Sequence, residues 1–562
     1  MKLLALSFAM VAFVAFKTVP LRPPKADTLI SQALVALGGE KAIADIEVIT
    51  YHSPNVYHSR SLMQSYNLDK ADTAIAISGT QNISFSYASD RLTQGIDRIF
   101  KPSEYWYWTS ARFDEFDYSL VVRGGKDGFA CYVRGNNQIW LPANLTSGYV
   151  DAALAEVLAL QGNVFSPKLL LEMKDHHGTK AIEVLINGIK TPAVYDRILE
   201  ITMVFDASSL LPHIIRTDEN HMIYGLSTND LYVSRYKAIE GIKFPHTFQT
   251  VYSSTTQKLD ATLEEFMVEE ITINPRFPKD YFSGLSEREG FFPKEAPKKT
   301  EGLSHAHILE LSSNMLWSGP GSGISNNSVD NIKHKNIVPG LPNAHWLIVN
   351  DEFLGVKQFV IEFEDHVIVG DAPPQWTKQV IEWIDKKIGK PIKYLWPTHH
   401  HRDHSGGAAE YVQIGAKLII PEIATIYWSS IPGAELITFN ETHPYIHSDN
   451  EHQAWFIWEE QATHSIDWSY TFITNKCPTN ESGIAIIEAD AWHPGMPDAN
   501  SDRWEMREWL GQLDRDGVPE SAYVLPIHGQ ISQVSELIEH TDYVYAARTI
   551  GDCKNGGALY QA

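Results

Sequence analysis

Apolar residues in the first half of the chain alternate with polar or small residues. This period of two is clear at residues 83–87, 183–186, 201–205 and 247–252. Successive side chains of a strand point to opposite faces, so such alternation is typical of sheets with one buried face. We therefore predict a mainly antiparallel β domain over residues 27–275.

The pattern changes near residue 275. Prolines and charged residues replace the alternation over residues 276–302, which we interpret as a linker. Downstream, apolar runs at 359–363, 366–371 and 391–396 surround a stretch of helical spacing at residues 376–388. Strand, helix and strand in this order favour an α/β domain, placed at residues 303–562.

The amino terminus resembles a targeting segment. Lys2 precedes an apolar run, residues 3–16, that only Ser7 interrupts. The run is short for a bilayer span, so we predict a signal peptide over residues 1–20 and no stable membrane insertion after its removal. No clear cleavage site follows, which leaves an uncleaved anchor open. Five N-x-S/T sequons fit a secreted glycoprotein and begin at Asn82, Asn144, Asn326, Asn440 and Asn480.

The overall composition excludes several classes of protein. Apolar residues make up 44% and charged residues 20%, as in ordinary globular domains. The net charge of −23 argues against a nucleic-acid partner, because such binding depends on Lys and Arg. The cysteines Cys131, Cys477 and Cys553 are too few for a disulfide scaffold or a Cys-based zinc module.

A histidine-rich segment follows the strand predicted at residues 391–396. His399, His401, Asp403 and His404 stand there in the order H-x-H-x-D-H, before Gly406-Gly407. In an extended loop His399 and His401 point the same way, and Asp403 and His404 can serve a second metal about 3.5–4 Å away. His400 then faces the opposite side and is structural.

Three downstream residues complete the predicted site. Asp490 and His528 each follow an apolar run typical of a strand, and His464 lies between them and the first motif. We predict His399, His401 and His464 on one metal. Asp403, His404 and His528 hold the other, and Asp490 is shared. Nitrogen and oxygen ligands without thiolate suit two zinc ions per chain, with iron or manganese as alternatives.

These motifs resemble the metallo-β-lactamase superfamily of hydrolases over residues 306–540. The resemblance implies an αββα sandwich with the metals at one edge, and gives Asp371 the role of a supporting aspartate. It favours His464 as third histidine over His443, His447 and His452, which stay alternatives. His493 is expected in a loop near the mouth of the site.

The expected function is a secreted, extracytoplasmic metal-dependent hydrolase of a small-molecule substrate. A metal-bound hydroxide would attack an ester, lactone, thioester or amide, with Asp403 and Asp490 as the catalytic carboxylates. One alternative is a single-iron dioxygenase of the same superfamily, which the residues do not exclude. Another is a carrier of a lipid or other apolar ligand, because residues 205–216 and 239–248 weakly resemble the half-barrels of bacterial lipoprotein carriers.

Overall fold

The structure is a computed structural model that describes residues 25–58, 77–89, 91–102, 115–135, 147–221, 223–254, 259–291, 295–298, 327–349, 356–374, 376–462, 464–479, 482–495 and 503–546. The predicted signal peptide, the sequons at Asn144, Asn326 and Asn480, and Cys553 lie outside these residues. Cys131 is buried and free, and Cys477 is disulfide-bonded. Within the described ranges, no helix has the length and apolarity needed to cross a membrane.

The first half forms a 14-stranded antiparallel sheet, which confirms the β-rich prediction. The strands are β1 (Val48–His58), β2 (Ile77–Ser86), β3 (Thr93–Pro102), β4 (Phe116–Arg123), β5 (Phe129–Arg134), β6 (Gly148–Tyr149), β7 (Lys180–Ile186), β8 (Ile189–Asp196), β9 (Ile201–Phe205), β10 (Pro212–His221), β11 (Gly225–Ser234), β14 (Thr247–Ser254), β15 (Leu259–Met267) and β16 (Glu270–Ile273). A separate hairpin consists of β12 (Lys237–Ile239) and β13 (Ile242–Phe244). Strand order is β6-β5-β4-β3-β2-β1-β15-β14-β11-β10-β9-β8-β7, and β16 also pairs with β1.

Helices cover one face of this sheet. They are α1 (Ala26–Leu37), α2 (Glu40–Ala44), α3 (Ala152–Phe165) and α4 (Leu169–Asp175). The register places Tyr51, Ile83, Ile96, Leu120 and Tyr132 in one row across β1 to β5. All five are buried in one cluster with residues of α1, α3 and α4. The alternation in the sequence thus marks the face that packs against the helices.

The predicted linker contacts the same sheet. Tyr281 Oη donates a hydrogen bond to Asp97 over 2.6 Å, and Arg123 forms an ion pair with Glu287 at 2.8 Å. Residues 276–291 therefore run along the β domain for part of their length.

The second half contains two further sheets, of seven and six strands. The first consists of β17 (Lys333–Lys335), β18 (Ala344–Ile348), β19 (Lys357–Glu362), β20 (Val367–Gly370), β21 (Ile392–Trp396), β22 (Lys417–Pro421) and β23 (Leu436–Phe439), in that order. The second consists of β24 (Tyr445–Ser448), β25 (His452–Trp458), β26 (Ser469–Asn475), β27 (Ala485–Glu488), β28 (Tyr523–Pro526) and β29 (Ser532–Gln533). The helices are α5 (Thr377–Lys387), α6 (Arg402–Ser405), α7 (Ala408–Gln413), α8 (Thr425–Trp428), α9 (Arg503–Arg515) and α10 (Val534–Thr541).

Buried clusters hold these elements together. Phe359 and Trp396 of the first sheet share a cluster with Phe456 and Ile487 of the second. On the far side of the second sheet, another cluster joins its strands to α9 and α10. The far side of the first sheet packs with α5, α7 and α8 in a cluster that also takes in residues of the N-terminal sheet. The two halves of the chain are thus joined through a common core.

Candidate metal centre

Strand ends bring the predicted ligands to one place. β20 and β21 are parallel, and Asp371 and the histidine-rich segment follow their carboxyl ends. β27 and β28 are also parallel, and Asp490 and His528 follow theirs. Parallel strands end at the same edge of a sheet, so these side chains meet. His464 joins them from the loop between β25 and β26.

His399, His401 and His464 form the first donor set. Nε2 of His464 lies 3.1 Å from Nε2 of His399 and 3.0 Å from Nδ1 of His401. All three side chains are buried. Their nitrogens converge on one point, and His401 presents Nδ1 where the other two present Nε2.

Asp403, His404 and His528 form the second donor set. Nε2 of His404 lies 3.3 Å from Nε2 of His528 and 3.3 Å from Oδ2 of Asp403. His528 Nε2 is also 3.5 Å from Asp403 Oδ2. Asp403 is the least buried of the set, with 19% of its side chain exposed, so it marks the side of the cluster that faces solvent.

Asp490 lies between the two sets. Its Oδ2 is 2.9 Å from His404 Nε2 and 3.4 Å from Nε2 of both His399 and His464. Its Oδ1 is 3.6 Å from His528 Nε2. The carboxylate therefore contacts histidines of both sets, and it is almost completely buried.

The chemistry of these donors fits a pair of metal ions. Two nitrogens bound tetrahedrally to one zinc ion at 2.0–2.1 Å lie about 3.3 Å apart, and the ring nitrogens here are separated by 3.0–3.3 Å. Oδ2 of Asp490 is buried without a hydrogen bond of normal geometry. A buried carboxylate oxygen in this state is costly unless a cation neutralises it. Nitrogen and oxygen donors of this kind suit zinc, iron or manganese.

Asp371 supports the centre from behind. Its Oδ2 lies 2.7 Å from Nδ1 of His404, and its Oδ1 accepts a hydrogen bond from Thr398 N over 2.7 Å. A proton held on His404 Nδ1 leaves the lone pair of Nε2 directed towards Asp403 and His528, the other donors of the second set. Asp371 thus fixes both the tautomer of His404 and the start of the metal loop, as we name residues 398–407.

Comparison with protein families agrees with this geometry. The family model of the metallo-beta-lactamase superfamily matches residues 352–480, a range that includes five of the seven donors. Residues 352–480 therefore match the metallo-β-lactamase superfamily that the sequence motifs indicated. Comparison with curated proteins finds no match.

Several solved structures resemble part of this chain. A metallo-β-lactamase from Pontibacter korlensis is 14% identical, covers 38% of this chain and 98% of its own, and has a TM-score of 0.29. The metallo-β-lactamase FIM-1 from Pseudomonas aeruginosa, in a mono-zinc form, is 18% identical over 37% of this chain and 92% of its own, with a TM-score of 0.27. A mutant flavo di-iron protein from Thermotoga maritima is 12% identical over 38% and 62%, with a TM-score of 0.30.

The electrostatics of the candidate metal centre keep His399 and His464 of the first set neutral. Burial and the neighbouring histidines lower the pKa of His399 well below its usual range. Burial lowers the pKa of His464 to about 3, although Asp490 acts in the opposite direction. Both rings are therefore unprotonated near neutral pH, and their lone pairs are available to a metal.

The second set behaves differently because it contains more carboxylates. Burial acts to lower the pKa of His404, but Asp403, Asp490 and Asp371 outweigh it and hold that pKa well above its usual range. Burial likewise acts to raise the pKa of Asp490, yet the surrounding histidines hold it well below its usual range. Asp490 is therefore ionised, and a metal entering this set must displace a proton from His404.

The alternative histidines lie away from both donor sets. His443 is exposed, and His447 places its Nε2 at 2.8 Å from Nε2 of His366. His452 starts β25 at the end opposite the His464 loop. His400 does not join the donor sets, as expected, and its Nδ1 lies 2.7 Å from Asp467. Within the described residues, His464 alone of the four candidates joins the donor sets.

Three features near the centre were not predicted from the sequence. They are the buried carboxylates of Glu488 and Asp467 and the burial of His493. Oε2 of Glu488 accepts hydrogen bonds from Ala491 N over 3.2 Å and Trp492 N over 3.4 Å, and so braces the turn that carries Asp490. Asp467 orients His400. His493 lies in a loop, as expected, but its side chain is buried, 3.4 Å from Oδ1 of Asp490. An acidic residue at the end of the apolar run 484–487 was the available signal for Glu488.

Proposed function

We propose that the protein is a metal-dependent hydrolase, built on an αββα domain, that cleaves an ester, lactone, thioester or amide in a small-molecule substrate. The observation that carries this proposal is the convergence of six buried or nearly buried donors around Asp490. We infer the order of the layers from three buried clusters, one between the two sheets and one between each sheet and its helices.

The chain's own residues have distinct parts in such a reaction. A metal pair of this kind would supply an activated water near neutral pH and a Lewis acid for the carbonyl oxygen of the substrate. Asp490 is ionised and placed to accept a proton through Oδ1, which also faces His493. Asp403 lies at the side open to solvent, so the substrate enters past it.

We also propose zinc at both positions and an extracytoplasmic location. The second donor set is as compact as the first, which favours two metals over one iron. The apolar run at residues 3–16 and the disulfide at Cys477 support export, because disulfides persist in oxidising compartments.

Metal analysis of the full chain tests the proposal. Plasma mass spectrometry of protein purified without added metal should find about two zinc ions per chain. Asp490→Ala should lose bound metal and nearly all hydrolysis of ester, lactone and thioester panels, while circular dichroism shows an intact fold. His443→Ala, at an exposed site, should change neither. A single iron would instead favour the dioxygenase, and full metal content with full activity in Asp490→Ala would refute the site.

A cavity in the N-terminal domain bears on a second candidate function, the binding of an apolar ligand. The cavity lies between the sheet and the helices, is partly open to solvent and has a volume of about 60 Å³. Leu37, Phe165, Met203, Ile215 and Phe248 contribute to a mostly apolar lining, which also includes Ser166 and Lys243. Ligand pockets commonly enclose about 300–1,000 Å³, so a lipid-sized ligand would bind only if this cavity widens.

A blocked variant tests this second function. Val233→Trp places an indole in the cavity, and we expect it to abolish binding of a fluorescent fatty acid by the full chain. Leu226→Trp, at an exposed position on the same sheet, is the matched control and should bind normally. Absence of binding by the unmodified protein would exclude the carrier function and leave the hydrolase unaffected.

A further inference from the structure

The metal loop rests on a short segment that begins with α8. Tyr427 Oη donates a hydrogen bond to the carbonyl oxygen of His400 over 3.4 Å. Ser405 Oγ donates to the same oxygen over 2.6 Å. All three residues are buried. Tyr427 and Ser405 therefore fix the backbone between His399 and His401 by hydrogen bonds to the His400 carbonyl.

The same segment contacts the N-terminal sheet. Ser430 Oγ lies 2.7 Å from the carbonyl oxygen of Ile223 and 2.6 Å from that of Tyr427, so its hydroxyl proton is shared between a carbonyl of the sheet and one of the segment itself. Tyr224 and Tyr252 of the sheet share a buried cluster with Tyr427 and Trp428. Residues 427–430 thus form a bridge with the metal loop on one side and the β domain on the other.

His221 shapes the sheet's side of this bridge. Its Nδ1 accepts hydrogen bonds from Ile223 N at 3.2 Å and Tyr224 N at 3.1 Å, and its ring stacks on Tyr224 with centroids 4.5 Å apart. Accepting two N–H groups requires a neutral ring. Burial and the nearby guanidinium of Arg402 hold the pKa of His221 well below its usual range, in agreement with that state.

Arg402 provides a second connection. It lies between the ligands His401 and Asp403 in the chain and is completely buried. Its charge acts on His221 and Tyr252 of the sheet and on Tyr427 of the bridge. The guanidinium therefore faces the junction between the two halves and not the solvent.

We infer that His221 is a positioning residue for the metal centre, although it belongs to the other half of the chain. It fixes the turn at Ile223 and Tyr224, which holds the bridge, and the bridge with Arg402 sets the conformation of the loop that carries His401 and Asp403. The inference rests on the proposed metal site. It gives the N-terminal domain a role in metal binding that does not depend on any ligand of its own.

Zinc affinity of the full-length protein tests this role. Loss of a residue that orients metal ligands costs about 10- to 100-fold in affinity, so His221→Ala should weaken zinc binding by at least about tenfold in chelator competition. His221→Asn should restore binding to nearly the normal value, because an Asn side chain can accept the same N–H groups two and three residues on.

The matched control is His246→Ala. His246 is also a buried histidine of the N-terminal domain, with Nδ1 at 2.7 Å from the carbonyl oxygen of Val268, but it does not contact the bridge. The His246→Ala variant should have a lower melting temperature and an unchanged zinc affinity. Normal affinity in His221→Ala, with a similar loss of stability, would overturn the inference.

A second variant covers the case in which His221→Ala does not fold. Ser430→Ala removes the contacts of Ser430 Oγ with the carbonyl oxygens of Ile223 and Tyr427 and should weaken zinc binding several-fold. Unchanged affinity there would also overturn the inference. If the unaltered protein binds no zinc in the same assay, the proposed function itself fails, and the two failures are distinguishable.

Discussion

Asp371 and Asp490 share an unusual backbone conformation. Their φ angles are +58° and +69°, and each follows the end of a buried strand. Aspartate tolerates this left-handed region better than most residues, but it still costs energy. At Asp371 this cost is offset by the hydrogen bond from Thr398 N and the contact with His404 Nδ1. At Asp490 it is offset by the hydrogen bond that Glu488 accepts from the following turn. The strain is located where the carboxylates must point into the site.

Asp371→Asn should selectively weaken the second metal position. An amide can accept from Thr398 N or from His404 Nδ1, but its nitrogen cannot accept from the other. We expect zinc affinity of one site per chain to fall about 10- to 100-fold, with the other site retained, in a two-site chelator titration. Asp365→Asn, which alters a carboxylate 2.6 Å from Nδ1 of His366 on the same hairpin, is the control. Equal weakening of both sites would contradict the role of Asp371.

At the scale of elements, the metal loop depends on the close approach of α6 and α7 to the segment that follows β20. Gly407 N donates to the carbonyl oxygen of Ala372 over 2.7 Å. A Cβ on Gly407 would overlap Thr377 Oγ1, and one on Gly406 would lie 2.7 Å from the carbonyl oxygen of Arg402. The two glycines thus permit a contact that no larger residue allows.

Gly407→Ala should destabilise the protein by roughly 1–3 kcal/mol and reduce zinc content, because relief of the clash displaces His404. Gly511→Ala is the matched control. Its Cβ would lie 3.4 Å from Tyr543 Oη, and alanine in a helix gains about 0.5–1 kcal/mol over glycine. Thermal unfolding with metal analysis measures both effects. A Gly407→Ala protein as stable as the original would show that the junction can relax freely.

The sequence was informative about elements and less so about their partners. The apolar runs predicted β9 and β21, and the ligand spacing placed the donors at strand ends, because both depend on local periodicity. The third histidine stayed open among four residues because hairpin geometry, and not spacing, brings His464 beside His399. The pairing of β1 with β15 and the contact of Asp467 with His400 join residues that are distant in the chain. Such contacts leave no periodic pattern in the sequence.

At the scale of the whole molecule, the junction between the halves buries polar groups as well as apolar ones. Glu219 is 5% exposed in the N-terminal sheet, close to Tyr252 of the shared core. Burial raises the pKa of Glu219 to about 8, and the Tyr252 hydroxyl only partly offsets that rise. The folded chain therefore holds a proton on this carboxyl at pH values where the unfolded chain has released it.

This linkage predicts a fall in stability as pH rises. The unfolded carboxyl titrates near its ordinary pKa of 4.5 and the folded one near 8. The stabilisation that comes from the protonated carboxyl is therefore fully present below pH 4.5 and is lost as the pH rises through 8. Between them the free energy of unfolding should fall by about 1.4 kcal/mol per pH unit relative to Glu219→Gln, which stays neutral. Urea unfolding of both proteins in EDTA, from pH 5 to pH 9, measures the difference without a contribution from metal binding. A difference independent of pH would mean that Glu219 is ionised in the folded protein and that the junction accommodates its charge.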